Sequence, residues 1–188
     1  MDLGLQGKTA VVTGGASSIG KAIVEGLCAE GASVVIADFD EEQAKRVVAQ
    51  LRTDGYAASF IFTDVGDRAQ VERLVEHALK EHEHIDILVN GAGWTVNGLF
   101  LEKPVEDWER EVAVNLWGPI YCTRAVAPSM VTRGYGKIIN IGSDAGRPNR
   151  ALLHRGKVSD AGGKWRRSFS GRPNRPWRQA SAHLGDRT

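Results

Sequence analysis

Thr13-Gly14-Gly15-Ala16-Ser17-Ser18-Ile19-Gly20 is the stretch whose reading decides the fold. Just before it, residues 9–13 form a short apolar run set between Gly7 and Gly14-Gly15, the pattern of a buried strand. Just after it, Ile19, Ile23, Leu27 and Cys28 recur at helical spacing over residues 19–30, and Gly31 stops the helix. A strand that passes through glycines and small residues into a helix leaves free backbone N–H groups and few obstructing side chains. That arrangement suits a bulky anion such as a dinucleotide pyrophosphate. Taken singly, the same turn is equally a plain strand-to-helix connection that binds nothing.

Working outward, the alternation continues. Residues 33–37, 57–62, 85–89 and 137–141 read as further strands, and residues 41–52 and 68–82 read as helices. Residues 108–133 form a long helical stretch, expected to break or kink near Pro119 and Pro128. Apolar strands alternating with helices predict an α/β fold, a Rossmann-type doubly wound parallel sheet that stops after about the fifth strand. The expected strand order is 3-2-1, with strands 4 and 5 continuing beyond strand 1.

Asp38 ends the second strand, 18 residues after Gly20. A carboxylate there can accept hydrogen bonds from both adenosine ribose hydroxyls and would repel a 2′-phosphate, so NAD is favoured over NADP. The alternative is a strand-end Asp that caps the next helix.

The formal net charge is +1 over 188 residues, an ordinary globular profile. It hides an asymmetry. Residues 1–146 carry 13 Lys+Arg against 21 Asp+Glu, while residues 147–188 carry 11 against 2. This switch predicts two regions: a nucleotide-binding domain over 1–147 and a basic, irregular tail over 148–188. Cys28 and Cys122 have no metal-like spacing and read as small core residues; no metal site is expected. No signal-peptide pattern and no long apolar span are visible, so a cytoplasmic location and no membrane partner are expected.

Five features stand together in the order and spacing of the short-chain dehydrogenases/reductases. They are the Thr13–Gly20 turn, Asp38, Asp64-Val65, Asn90-Gly91-Ala92-Gly93 and Ser143; Asn115 matches the family's helix asparagine. The chain resembles that family over about residues 5–147. The resemblance implies hydride transfer between NAD(H) and an alcohol or ketone. It implies that Gly14, Ser18, Ile19 and Gly20 face the pyrophosphate, that Asp38 holds the ribose and that Asp64 and Val65 border the adenine. Asn90, Gly91, Ala92 and Gly93 would line the central cofactor site. Ser143 would bind the substrate oxygen, and Asn115 would help position a proton-relay water; these two are the catalytic candidates. The family turn normally has glycine at the position of Ser18, and Asn90-Gly91 replaces the commoner Asn-Asn.

One departure is severe. The family's general acid/base is a tyrosine about 13 residues after the serine, with a lysine four residues later. Here those positions hold Gly156 and Asp160, and all three tyrosines, Tyr56, Tyr121 and Tyr135, precede Ser143. The chain also ends short of the family's usual length, so the faces of the fifth strand and fourth helix should be exposed, and the family's homo-oligomer is in doubt. Two origins for the tail stay open: translation out of frame in GC-rich DNA, and a genuine basic extension. The expected function is an NAD-dependent oxidoreductase impaired by the missing pair, with a non-catalytic NAD-binding or scaffold protein as the alternative. Trp165 and Trp177 among arginines could stack on bases, but the acidic front part and the lack of a nucleic-acid fold argue against a nucleic-acid partner. The substrate stays open.

Overall fold

The computed structural model describes residues 3–143. The chain divides into two units, Met1–Ile141 and Gly142–Thr188. Of the second, only Gly142 and Ser143 are among the described residues, so the expectations for the basic tail lie outside them.

Along the first unit run β1 (Thr9–Thr13), α1 (Ser18–Ala29), β2 (Ser33–Asp38), α2 (Glu41–Thr53), β3 (Ala58–Phe62), α3 (Arg68–His82) and β4 (Ile87–Asn90). α4 (Val105–Val112), a π-helical segment (Ala113–Trp117), α5 (Gly118–Arg133) and β5 (Lys137–Asn140) follow. The strands form one parallel sheet in the order β3-β2-β1-β4-β5, as the sequence predicts.

Alternation along the strands explains the layers. Ala10, Val12, Val34, Ile36, Ile87 and Val89 face one way, onto Val24 and Cys28 of α1 and Val47, Val48 and Leu51 of α2. Val11, Val35, Ala37 and Leu88 face the other way, onto Val71, Leu74 and Ala78 of α3 and Cys122 and Val126 of α5. Because both faces are covered, β1 and β4 are buried throughout, and their apolar residues run unbroken from Ala10 to Val12 and from Ile87 to Val89. Burial raises both thiols, Cys28 to about 11 and Cys122 to about 12, so neither is a reactive thiolate near neutral pH.

The amino ends of β1 and β4 are tied by a charge. The fully buried Asp86 carboxylate accepts from the Thr9 N–H at 3.0 Å and from Arg133 Nη2 at 2.7 Å. Lys8 Nζ lies 3.9 Å away and His84 Nε2 3.3 Å away. Burial alone would raise the Asp86 pKa, but the bonds from Arg133 and Thr9 and the nearby Lys8 and His84 outweigh it, and the net shift is downward.

The expected break in the long helix falls at the π-helical segment. Pro119 has no N–H to give to the carbonyl four residues back, that of Asn115, and the helix widens just ahead of it. Pro128 lies inside α5 without ending it, and the helix stops at Gly134, whose φ is +66°. β5 is exposed along its length, with Ile139 at 45%, and Leu116, Ile120 and Val131 are exposed on the helices.

Candidate functional site

The chain runs outward from β1 through β2 to β3, then crosses to β4 on the other side of β1. Strand order therefore reverses between β1 and β4, and in open parallel sheets that reversal marks the crevice in which a dinucleotide lies, outside the carboxyl ends of the strands. The turn after β1 carries Gly14 to Gly20, and the turn after β4 carries Gly91 to Gly93.

The two turns touch. A Cβ on Gly14, where φ is +69°, would lie 2.8 Å from Ala92 Cα. A Cβ on Gly20 would lie 1.9 Å from the Gly14 carbonyl oxygen. Both positions exclude any side chain. Ser18 has a φ of 46°, in the left-handed region that favours glycine. Backbone conformation is thus a reason for glycine at this position, beyond close approach. Ser17 caps α1 by position yet makes no side-chain cap bond, and no acidic residue lies in the first turn. The exposed Ile19 lies in that first turn. Glycines at Gly14 and Gly20 and a helix whose own first turn carries no acidic residue suit a diphosphate.

Asp38 sits half-buried at the end of β2. Its Oδ2 accepts from the Ala16 N–H at 2.9 Å, and its Oδ1 accepts from the Asp40 N–H at 3.0 Å. The cap of α2 is Asp40, which accepts from the Gln43 N–H at 3.0 Å. The helix-cap alternative for Asp38 therefore falls to its neighbour.

Thr13, which opens the glycine turn but has no role of its own in the sequence pattern, joins the two turns. Its hydroxyl accepts from the Gly91 and Ala92 N–H groups at 3.1 and 3.2 Å. A threonine ending a buried strand beside a glycine turn is the signal that could have found it. Asn90 is buried; its amide donates to Asn140 Oδ1 at 2.8 Å, tying β4 to β5. Gly91 to Gly93 form the turn itself.

Asp64 accepts from Arg110 Nη1 at 2.7 Å and from the Gly66 N–H at 2.9 Å. Arg110 also lies 5.8 Å from the ring of the exposed Phe39, the residue after Asp38. Val65 is buried against Gly118 at the start of α5.

Asn115 lies in the middle of the π-helical segment. Its Oδ1 accepts from the Trp94 N–H at 2.9 Å and its Nδ2 donates to the Trp94 carbonyl at 2.7 Å. The side-chain amide is thus committed to the loop leaving β4. One helical turn earlier, the Glu111 carboxylate accepts from Thr95 Oγ1 at 2.8 Å, from the Val96 N–H at 3.1 Å and from Lys103 Nζ. Those bonds, that from Lys103 foremost, hold the Glu111 pKa down to about 2. Ser143 is exposed and belongs to the second unit, so the constellation above comes from the first unit alone. Among the described residues no group of three His, Cys, Asp or Glu could hold a metal ion, and no helix is long and apolar enough to cross a membrane.

A family model described as short chain dehydrogenase matches residues 8–154. The chain belongs to the short chain dehydrogenase family. Similar relatives include the sorbitol dehydrogenase of Cereibacter sphaeroides, 41% identical over 150 residues, which cover 79% of this chain and 57% of the relative. The (2S)-[(R)-hydroxy(phenyl)methyl]succinyl-CoA dehydrogenase subunit BbsD of Thauera aromatica is 36% identical over 143 residues, covering 76% and 58%. Among solved structures, a short chain dehydrogenase/reductase from Burkholderia phymatum in complex with NAD superposes with a TM-score of 0.74 at 29% identity, covering 85% of this chain and 61% of that one. This short chain dehydrogenase chain spans about half the length of the curated relatives it matches.

Proposed function

We propose that the first unit is the NAD(H)-binding part of an oxidoreductase that moves a hydride between nicotinamide and an alcohol/ketone pair. The observation that carries this reading is the close approach of two glycine turns at the strand-order reversal, Gly14 against Ala92, with Asp38 held beside them. Support also comes from the NAD complex of the Burkholderia phymatum relative. In this reading Gly14, Ser18, Ile19 and Gly20 hold the pyrophosphate. Asp38 accepts from the adenosine ribose, and its charge would repel a 2′-phosphate. Asp64, Val65, Phe39 and Arg110 border the adenine, and Gly91 to Gly93 pass close to the second ribose. Bound NAD would supply the hydride acceptor. Ser143 would donate to the substrate oxygen, and Asn115 would fix the loop at Trp94 beside the reacting atoms.

A second reading, a non-catalytic NAD-binding protein, is favoured by one feature: Gly156 and Asp160 stand where the family has tyrosine and lysine. Calorimetric titration with NADH and NADPH, together with turnover assays, separates the readings. Binding with preference for NADH supports the shared cofactor site. Equal affinity for the two nucleotides, or a preference unchanged in Asp38→Ala, overturns the role of Asp38. Binding without turnover selects the second reading.

A further inference from the structure

The loop leaving β4 holds its course through side chains. Thr13 takes the Ala92 N–H, Asn115 takes the Trp94 N–H, and Glu111 takes the Val96 N–H. Glu111 and Asn115 are four apart on one helical stretch, so they share a face and grip successive parts of one segment. Lys103 closes the clamp. Its side chain is 5% exposed and that of Glu111 is 16% exposed. The Lys103 ammonium also lies 4.4 Å from the Trp108 ring centre.

A partly buried ion pair is a poor way to gain stability, because desolvation offsets much of its attraction and a well-packed apolar pair often does as well. An apolar pair, however, could not accept from Thr95 and Val96. What the carboxylate supplies is a fixed location for the segment, and what Lys103 supplies is a counter-charge that holds the carboxylate in that place.

The segment's place gives that location a consequence. Asp38 and β2 lie on one side of the crevice, so the adenosine half belongs there. The turn after β4 lies on the other side, so residues 94–96 follow the half that carries the nicotinamide. We propose that Glu111, fixed by Lys103, is a positioning residue that sets the wall formed by residues 94–96 against the nicotinamide and its alcohol or ketone substrate. This rests on the dinucleotide reading above.

The test compares NADH with ADP-ribose, which lacks the nicotinamide, by calorimetric titration of the chain and of a Lys103→Met, Glu111→Leu double variant. The double variant should melt no lower than the parent and bind ADP-ribose unchanged, yet bind NADH roughly tenfold more weakly. Amide exchange at Val96 should quicken in parallel. An unchanged NADH affinity, or an equal loss for both ligands, overturns the proposal. If the parent binds neither ligand, it is the dinucleotide reading that falls. Glu111→Gln and Thr95→Val, which disturb packing less, are read by the same criteria and decide the matter if the double variant does not fold.

Discussion

The Asp38 carboxylate accepts a hydrogen bond from the backbone N–H of Ala16 at 2.9 Å, joining the end of β2 to the glycine turn that follows β1. One side chain thereby braces the turn and keeps a charged oxygen at the rim of the crevice. A hydrogen bond to a charged acceptor contributes about 1.5–3 kcal/mol. Asp38→Ala should therefore cost stability of that order and also abolish discrimination against NADPH. Asp38→Asn should recover much of the stability, since an amide oxygen still accepts, while discrimination stays lost. Urea unfolding and paired nucleotide titrations check both. Full discrimination in Asp38→Asn would separate the brace from nucleotide choice.

Ser18 sits at a φ of 46°. A side chain in left-handed backbone costs about 1–2 kcal/mol, while glycine gives back roughly 0.5–1 kcal/mol in lost chain entropy. Ser18→Gly should stabilise the domain by about 0.5–1 kcal/mol, read as a higher urea midpoint. A lower midpoint would mean that the serine hydroxyl makes a compensating contact.

Asp86 is a fully buried charge at the other end of the sheet. Removing it takes a charged acceptor from the Thr9 N–H and Arg133; the cations left behind are about a third exposed and water can solvate them, so the cost is that of hydrogen bonds to a charged group, about 1.5–3 kcal/mol, read by urea unfolding. Asp86→Ala should destabilise by that much.

Its pH dependence follows from the direction of the shift. The folded pKa lies below the ordinary 3.8, so the unfolded chain binds the proton more readily. The contribution is fully present above the ordinary value and is lost as pH falls through the folded one. Glu111 acts in the same sense, from its ordinary 4.5 down to about 2. Unfolding free energy should therefore drop with acidification below about pH 4.5, and Asp86→Asn should flatten part of that slope. An identical slope in the variant would remove Asp86 from the account.

The 188-residue chain should be a very poor dehydrogenase. Hydride transfer to or from a carbinol carbon requires a proton to move at the oxygen. A positioned acid/base contributes roughly 10²–10⁴-fold, and none stands where the family has one. NADH formation or loss is followed across secondary alcohols and ketones. Turnover in the ordinary range of roughly 1–10³ per second would overturn the expectation.

The strand-helix alternation, the sheet order, the glycine turn and Asp38 were legible in the sequence. The alternation, the glycine turn and the place of Asp38 at a strand end are local patterns of apolar runs, helical spacing and small residues, and the sheet order follows from the parallel alternation they define. The π-helical segment was half legible, because Pro119 announced a break but not its form.

The sequence by itself determined the family, the parallel doubly wound sheet and the ends of the strands at which a nucleotide would lie, because hydrophobic periodicity and the spacing of small residues in a turn are properties of neighbouring residues. Only the tertiary structure decided who holds whom there. Thr13 with Ala92, Asp38 with Ala16, Arg110 with Asp64, and Glu111 with Lys103 and Val96 are partners brought together by folding. A polar side chain's role is set by the donor or acceptor that the fold brings within about 3 Å of it, and no short-range pattern in the chain encodes that distance.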